Sequence, residues 1–270
     1  MNVKVSEILN VFRTYSLHSL PKYIADWLGF HYPTFQSVFA TKLQTYVLRN
    51  KTRFIVRPFS YDRVVIDEIF IHRAYTPKHF DIKNEDIVVD LGAHIGAFTV
   101  FAAKKTQSPK AYGIPHVYSY EPEPINFAIL KNNVKLNDLE KETKIFRSAV
   151  AGKAGVLSLY TNESGVASAV NTSAQSISVE AVTLEDIFIK NKLSEVDFLK
   201  VDVEGAEWDV FKAAAGCDCL TRIKKIAMEC HSARDTLRLK ALLEASGFRV
   251  QIAPGGHSTL FYIYAIGSEE

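Results

Sequence analysis

Two apolar runs carry the residues with the most evident chemistry, Val196-Asp197-Phe198-Leu199-Lys200-Val201-Asp202 and Lys225-Ile226-Ala227-Met228-Glu229-Cys230-His231. Alternation along the first places Phe198, Lys200 and Asp202 on one face of a strand. A lysine inside a buried strand is costly unless a carboxylate neutralises it. Asp202 is one candidate partner, and Glu229 is another if the second run forms the adjacent parallel strand. Both strands would end at the edge of the sheet where ligands bind in open α/β folds, so Asp202, Glu204, Glu229 and His231 are expected to converge there. Such a group can take the proton of a reacting hydroxyl. Asp202, Glu204 and His231 are candidates for that base, the histidine because its ordinary pKa lies near neutrality. The same carboxylates could instead hold a hard divalent cation that orients the hydroxyls. A plainer reading puts Glu204 and Glu207 in the first turn of a helix Gly205 to Lys212, where acids favour the helix dipole; it is preferred for Glu207.

A second constellation lies upstream. Asp86-Ile87-Val88-Val89-Asp90-Leu91-Gly92-Ala93-His94-Ile95-Gly96 reads as a buried parallel strand that delivers Asp90 into a glycine-relaxed turn. A helix from Phe98 to Lys105 follows, its N-terminal N–H groups open to an anion. A dinucleotide fingerprint needs glycines where this chain has His94 and Ala97. Gly92 and Gly96 instead make a looser G-x-x-x-G bend, suited to a compact ligand with an amino-acid end. S-adenosylmethionine (SAM) is such a ligand, with Asp90 near its ammonium or sulfonium. The next strand, Val117 to Tyr120, closes on Glu121, the position from which a carboxylate holds a ribose diol. Pro122 would pack on adenine, Glu123 and Pro124 would open the helix ending at Leu136, and Ser148-Ala149 would lie near the adenine. Glu68, Tyr61 and Tyr75 are further candidates for reaching the cofactor.

The segments VVDLGAHIGAFTVFAAK, YSYEPEP, LKNNVKLN, RSAVAGKAGVLSLY, FLKVDVEGAEWDVF and IAMECHS, in that order from about Glu68 to about Val250, resemble the FkbM family of SAM-dependent methyltransferases. The most specific piece is Lys200-Val201-Asp202-Val203-Glu204-Gly205-Ala206-Glu207. The resemblance implies methyl transfer, commonly to an oxygen of a sugar or natural product. His94 departs from it, because the family usually has Asn there. A nucleotide-binding oxidoreductase, a silent adenosine-binding module and an RNA methyltransferase are the rival readings; the last lacks an N-P-P-Y-type signature.

The expected architecture is α/β, a class I methyltransferase Rossmann-like sheet, mostly parallel and closed by an antiparallel C-terminal hairpin (Phe248 to Ile252 with Thr259 to Ile266). The methyltransferase domain is read as residues 79–270, and residues 1–78 as an extension of helices (Val5 to Leu17, Lys22 to Leu28), a hairpin (Phe39 to Leu48, Arg53 to Pro58) and a capped helix (Asp62 to Ala74) that covers the cofactor edge. Gly155 to Tyr160 and Ile177 to Val182 read as an outlying hairpin around a polar turn, and Lys104 to His116 as a surface excursion. With 270 residues and 47% hydrophobic content the chain can bury a full core. A formal net charge of +2, with basic residues scattered, gives no case for a nucleic-acid partner; a small-molecule or glycan acceptor is expected. No apolar run reaches membrane-spanning length, Met1-Asn2-Val3-Lys4 does not lead into a signal-peptide core, and three cysteines suit a reducing compartment, so a cytoplasmic location is expected. Leu17, Leu20, Tyr23, Ile24, Trp27, Leu28 and Phe30 form a stripe for the chain's own core, with peripheral membrane contact as the alternative.

Overall fold

A computed structural model of the chain describes residues 5–31, 42–107, 115–161, 167–168, 175–256 and 258–268. Helices α1 (Val5–Thr14) and α2 (Leu20–His31) precede a hairpin of β1 (Gln44–Val47) and β2 (Arg53–Val56), then α3 (Asp62–Asp67) and a π-helical turn, Glu68–His72. The alternating core follows as β3 (Val88–Leu91), α4 (Ala97–Thr106), β4 (Val117–Tyr120), α5 (Pro124–Leu136) and β5 (Thr143–Phe146). Next come β6 (Ala149–Val150), β7 (Gly155–Thr161), β8 (Ala167–Ser168), β9 (Gln175–Val182) and α6 (Leu184–Asn191). The chain closes with β10 (Phe198–Val201), α7 (Glu207–Ala214), β11 (Lys225–Cys230), α8 (Ala233–Ala245), β12 (Phe248–Pro254) and β13 (Phe261–Gly267).

Seven strands form the main sheet in the order β12-β13-β11-β10-β3-β4-β5. From β11 to β5 every pairing is parallel, and β13 runs antiparallel to both β11 and β12. The expected mostly parallel sheet with an antiparallel closing hairpin is therefore present. Every side chain of β3 is buried, including Asp90, as expected of a strand covered on both faces whose other residues are apolar. Chain order reverses at β3, with β4 on one side and β10 on the other, and the crevice beyond the strand ends at such a reversal is where ligands bind. One face of the sheet packs under α4, α5 and the N-terminal elements, whose Tyr15, Leu20 and Tyr46 share a core with Val100 and Leu130; the other packs under α6, α7 and α8. So Leu20 and Tyr23 are buried as the core reading of the stripe expected, whereas Leu17 and Ile24 are exposed.

Local signals explain the helix starts. Glu123 caps α5 by accepting from Asn126 N, with Pro124 in the first turn, and Thr183 and Asp186 form a reciprocal cap on α6. Two expected helices differ. The one from Asp62 gives way to the π turn and stops where Arg73 takes a left-handed conformation (φ 56°). The one expected from Gly205 begins only at Glu207, because Glu204 (φ 52°) and Gly205 (φ 99°) are also left-handed. Glu204 therefore precedes α7 and is not a first-turn acid. The hairpin β7–β9 belongs to a second, four-stranded sheet that reaches the ligand crevice and is not an outlier. Cys217 and Cys219 form a disulfide, against the expectation of three thiols; they flank one residue of a turn, with Cα atoms 5.4 Å apart, within bridging range. Cys230 is free and buried. Phe39 to Thr41, much of the 104–116 excursion and most of the 162–176 turn lie outside the described residues. Among the described residues no helix is long and apolar enough to cross a membrane.

Candidate active site

The turn after β3 is stitched to the end of β10. Gly92 has φ +75°, and a Cβ there would sit 1.7 Å from the carbonyl oxygen of Asp202, so only glycine allows the two strand ends this close. Lys200 Nζ donates to the Gly92 carbonyl at 2.6 Å and lies 3.3 Å from Asp90 and 3.6 Å from Asp202. Its principal carboxylate is thus Asp90, directly opposite in the β3–β10 register. The sequence offered Asp202 or Glu229 because it did not place these two strands side by side. The other Asp90 oxygen accepts from Thr99 Oγ1 at 2.7 Å. Asp90 is fully buried, is engaged in this way, and does not line the crevice. Lys200 is likewise withdrawn from the crevice and holds strand ends in register. Gly96 is absent from the lining too, its φ of +85° letting the chain pass Leu130, whose Cδ1 would be 2.5 Å from an added Cβ.

Beyond these strand ends lies a cluster of acids around one histidine. His231 Nδ1 donates to Glu207 at 2.9 Å, and Nε2 is 3.4 Å from both Glu204 and Glu229. Burial works against charging the ring, but hydrogen bonds to Glu207 and Glu229 outweigh it and lift the pKa to about 11. An imidazolium cannot serve as a base near neutrality, so His231 is removed from the bases read from the sequence. Glu207 accepts from Gly205 N at 3.0 Å as well as from His231, which gives it more than a helix-dipole role. Tyr75, which is buried, places its hydroxyl 3.0 Å from both Asp202 Oδ2 and Glu229 Oε2. One hydroxyl proton cannot serve two ionised carboxylates. Burial and the Glu229 charge raise the Asp202 pKa, whereas at Glu229 burial is outweighed by hydrogen bonds from His231, Tyr75 and Tyr262 and the pKa falls. Glu204, raised to about 7 by burial and by Asp202, and Glu68, raised to about 8 by burial and by Glu229 and Asp202, complete the cluster. Asp202 Oδ1 is buried with no hydrogen-bond partner.

Glu68, Asp202, Glu204, Glu229 and His231 line one end of a cavity of about 470 Å³, within the range of small-molecule sites. The other end is formed by Gly92, His94, Glu121, Pro122, Asn126, Ala149 and Val150, and Leu157 to Leu159 of β7 close over it. Glu121 Oε2 accepts from His94 N at 2.7 Å and Oε1 from Glu123 N at 2.9 Å. Burial raises it to about 7. Glu121 thus ties the β3 and β4 turns together, and Oε2 retains a lone pair for a further donor. This buried acceptor beside the apolar surfaces of Pro122, Ala149 and Val150, with a glycine-relaxed turn across from it, fits a nucleoside carrying a polar tail, as SAM does. The His94 ring is driven to about 4 mainly by burial, neither nitrogen has a hydrogen-bond partner, and the nearest charge is Asp62 at 3.8 Å. Ser148 is buried outside the cavity lining. Tyr61 and Glu68 line it from the N-terminal region.

Sequence reasoning missed Tyr262, which faces Glu229 in the β11–β13 register, and Asn126 on α5. The alternation of Tyr262 and Tyr264 in the closing strand was the available signal for the first.

A family profile described as "Methyltransferase FkbM domain" matches residues 90–250. Methyltransferase sdnD of Sordaria araneosa is 26% identical over 223 residues, covering 68% of this chain and 83% of its own length. The 31-O-demethyl-FK506 methyltransferase FkbM of Streptomyces tacrolimicus is 26% identical over 217 residues, covering 68% and 80%. A crystal structure of methyltransferase FkbM from Methylobacillus flagellatus KT aligns at TM-score 0.49 and 16% identity, over 96% of this chain and 58% of that one. The profile spans more than half of the 270 residues, and the chain belongs to the FkbM family of SAM-dependent methyltransferases.

Proposed function

We propose that the chain methylates a hydroxyl oxygen of a small-molecule or glycan acceptor, with Asp202 as the base. The observation that carries this reading is Asp202 Oδ1, a buried carboxylate oxygen without a hydrogen-bond partner at the edge of the cavity. Bound SAM supplies a methyl group on a sulfonium, already an electrophile. Glu121, Pro122 and Ala149 would hold its nucleoside, and Gly92 with His94 its amino-acid end. Asp202 accepts the acceptor's hydroxyl hydrogen bond and receives the proton released as that oxygen is methylated. Tyr75 and Lys200 fix the orientation of Asp202. Burial and the neighbouring Glu229 make it a stronger base than an ordinary aspartate. Glu204, at the cavity wall, binds a second acceptor hydroxyl. The Streptomyces relative is named a 31-O-demethyl-FK506 methyltransferase, which agrees with an oxygen acceptor.

Asp202, Glu229 and His231 each offer a ligand atom within 4.8 Å of the others. A divalent cation there would have to displace the proton that Glu207 and Glu229 hold on His231, so the donor set does not favour it. Methyl-labelled SAM offered with a panel of sugars and polyhydroxylated natural products tests the proposal. A labelled methyl ether, formed equally with and without EDTA, is expected. Label found only on nitrogen or carbon overturns the reading, and loss of activity in EDTA restores the cation.

A further inference from the structure

The first sixty residues hold eight lysines and arginines against two acids, whereas the remaining 210 hold 24 against 28. An overall charge of +2 therefore conceals a basic end on an acidic body. The same end carries half of the large apolar side chains exposed among the described residues: Leu9 at 48%, Phe12 at 45%, Leu17 at 73%, Ile24 at 50% and Leu43 at 57%.

Backbone contacts bring the two kinds of residue together. Arg49 donates through its backbone to Thr14 O at 2.8 Å and through Nε to Phe12 O at 2.6 Å, and Ser16 N bonds to Val47 O at 2.9 Å. The end of α1, the turn carrying Leu17 and the tip of the β1–β2 hairpin thus form one surface. On it Phe12 and Leu17 stand beside the exposed Arg13, Arg49 and Lys51.

We infer that this surface docks on an anionic lipid membrane. Apolar side chains projecting among basic ones suit a lipid interface, where the first enter the acyl boundary and the second remain with the headgroups. A second copy of the chain is a poorer occupant, because a two-fold contact would set like charge against like.

The test is co-sedimentation of the full chain with phosphatidylcholine vesicles, with and without 30% phosphatidylserine. Binding to the anionic vesicles is expected to exceed binding to the neutral ones at least tenfold and to fall in 0.5 M NaCl. Phe12→Ser/Leu17→Ser and Arg13→Glu/Lys51→Glu should each lower it about tenfold, with SAM affinity and the circular dichroism spectrum unchanged. No preference for anionic vesicles overturns the proposal, as does undiminished binding by both double variants. A concentration-dependent dimer abolished by the same substitutions would assign the surface to a second copy instead.

Discussion

Two buried polar clusters, one in the N-terminal region and one at the strand ends, are made of similar residues but closed to different degrees. In the first, Tyr15 donates to one oxygen of Asp67 at 2.7 Å, while Tyr23 at 2.8 Å and Arg63 at 2.7 Å share the other, and the Arg63 guanidinium covers the Tyr23 ring. Both oxygens of Asp67 are engaged. In the second, Tyr75, Lys200 and Glu229 surround Asp202 yet leave Oδ1 without a partner. A carboxylate whose acceptors are all used holds α1, α2 and α3 together and has no capacity left for a ligand. One that retains a buried acceptor is costly to the fold and keeps that acceptor for something that arrives later. The two are nonetheless connected, since Asp67 is followed directly by Glu68, which lines the cavity from the π turn.

Isosteric loss of the open carboxylate should separate the two clusters most sharply. Asp202→Asn preserves shape and the hydrogen bond to Tyr75 but removes the base, and turnover should fall by about 10²–10⁴-fold. SAM affinity, measured by calorimetry, should stay within about threefold of the native value. A comparable loss of binding would move Asp202 from proton transfer to cofactor attachment. Asp67→Ala reverses the pattern. It leaves Arg63 buried without its carboxylate and should destabilise the protein by about 3–5 kcal/mol in urea unfolding, with kcat per folded molecule little changed. Loss of activity without loss of stability would show that the closed cluster acts on the site through Glu68.

The extent to which this division could be read from sequence differs between the clusters. Strand β3, its glycine turn, Glu121 at the end of β4 and Asp202 beyond β10 were legible, because a buried parallel strand followed by a glycine turn and a terminal acid is a local pattern. The partner of Lys200 was not, since it depends on β10 lying beside β3, across more than a hundred residues of chain. The role of His231 misled for a related reason. A histidine after a strand suggests a base, and only the approach of Glu207 from α7, beside Glu229 of the same strand, converts it into a fixed cation. The Asp67 cluster gave no sequence signal at all, because its four members come from the residue after α1, from α2 and from α3 with no shared spacing.

Glu121 lies between the two types, tying two turns together while keeping one acceptor for a ligand. Glu121→Ala should weaken SAM binding by about 1–3 kcal/mol, the cost of leaving a donor unpaired. Undiminished affinity would make Glu121 a purely structural residue and assign the ribose elsewhere. Because His94 N and Glu123 N also lose their acceptor, a modest fall in thermal stability should accompany the loss.

The smallest effect concerns how the open cluster sets its own pH dependence. Asp202 must be ionised to receive a proton, so kcat/KM should rise with pH as the raised Asp202 and Glu204 carboxylates titrate together. The charge of Asp202 helps to lift Glu204 to about 7, and the repulsion is mutual, so each ionised group holds the other's proton more tightly. Glu204→Gln removes that repulsion, and Asp202 then ionises at lower pH. The rising limb should move in the acidic direction, increasing the rate at pH 6 relative to the plateau by about two- to fivefold, the size of an interaction near 1 kcal/mol between partly exposed charges. A limb that stays in place would mean that Glu204 and the base do not sense each other, and the acid would then have to be sought in Glu68. A limb that moves to higher pH would require Glu204 itself to be the base, with Asp202 carrying its proton throughout.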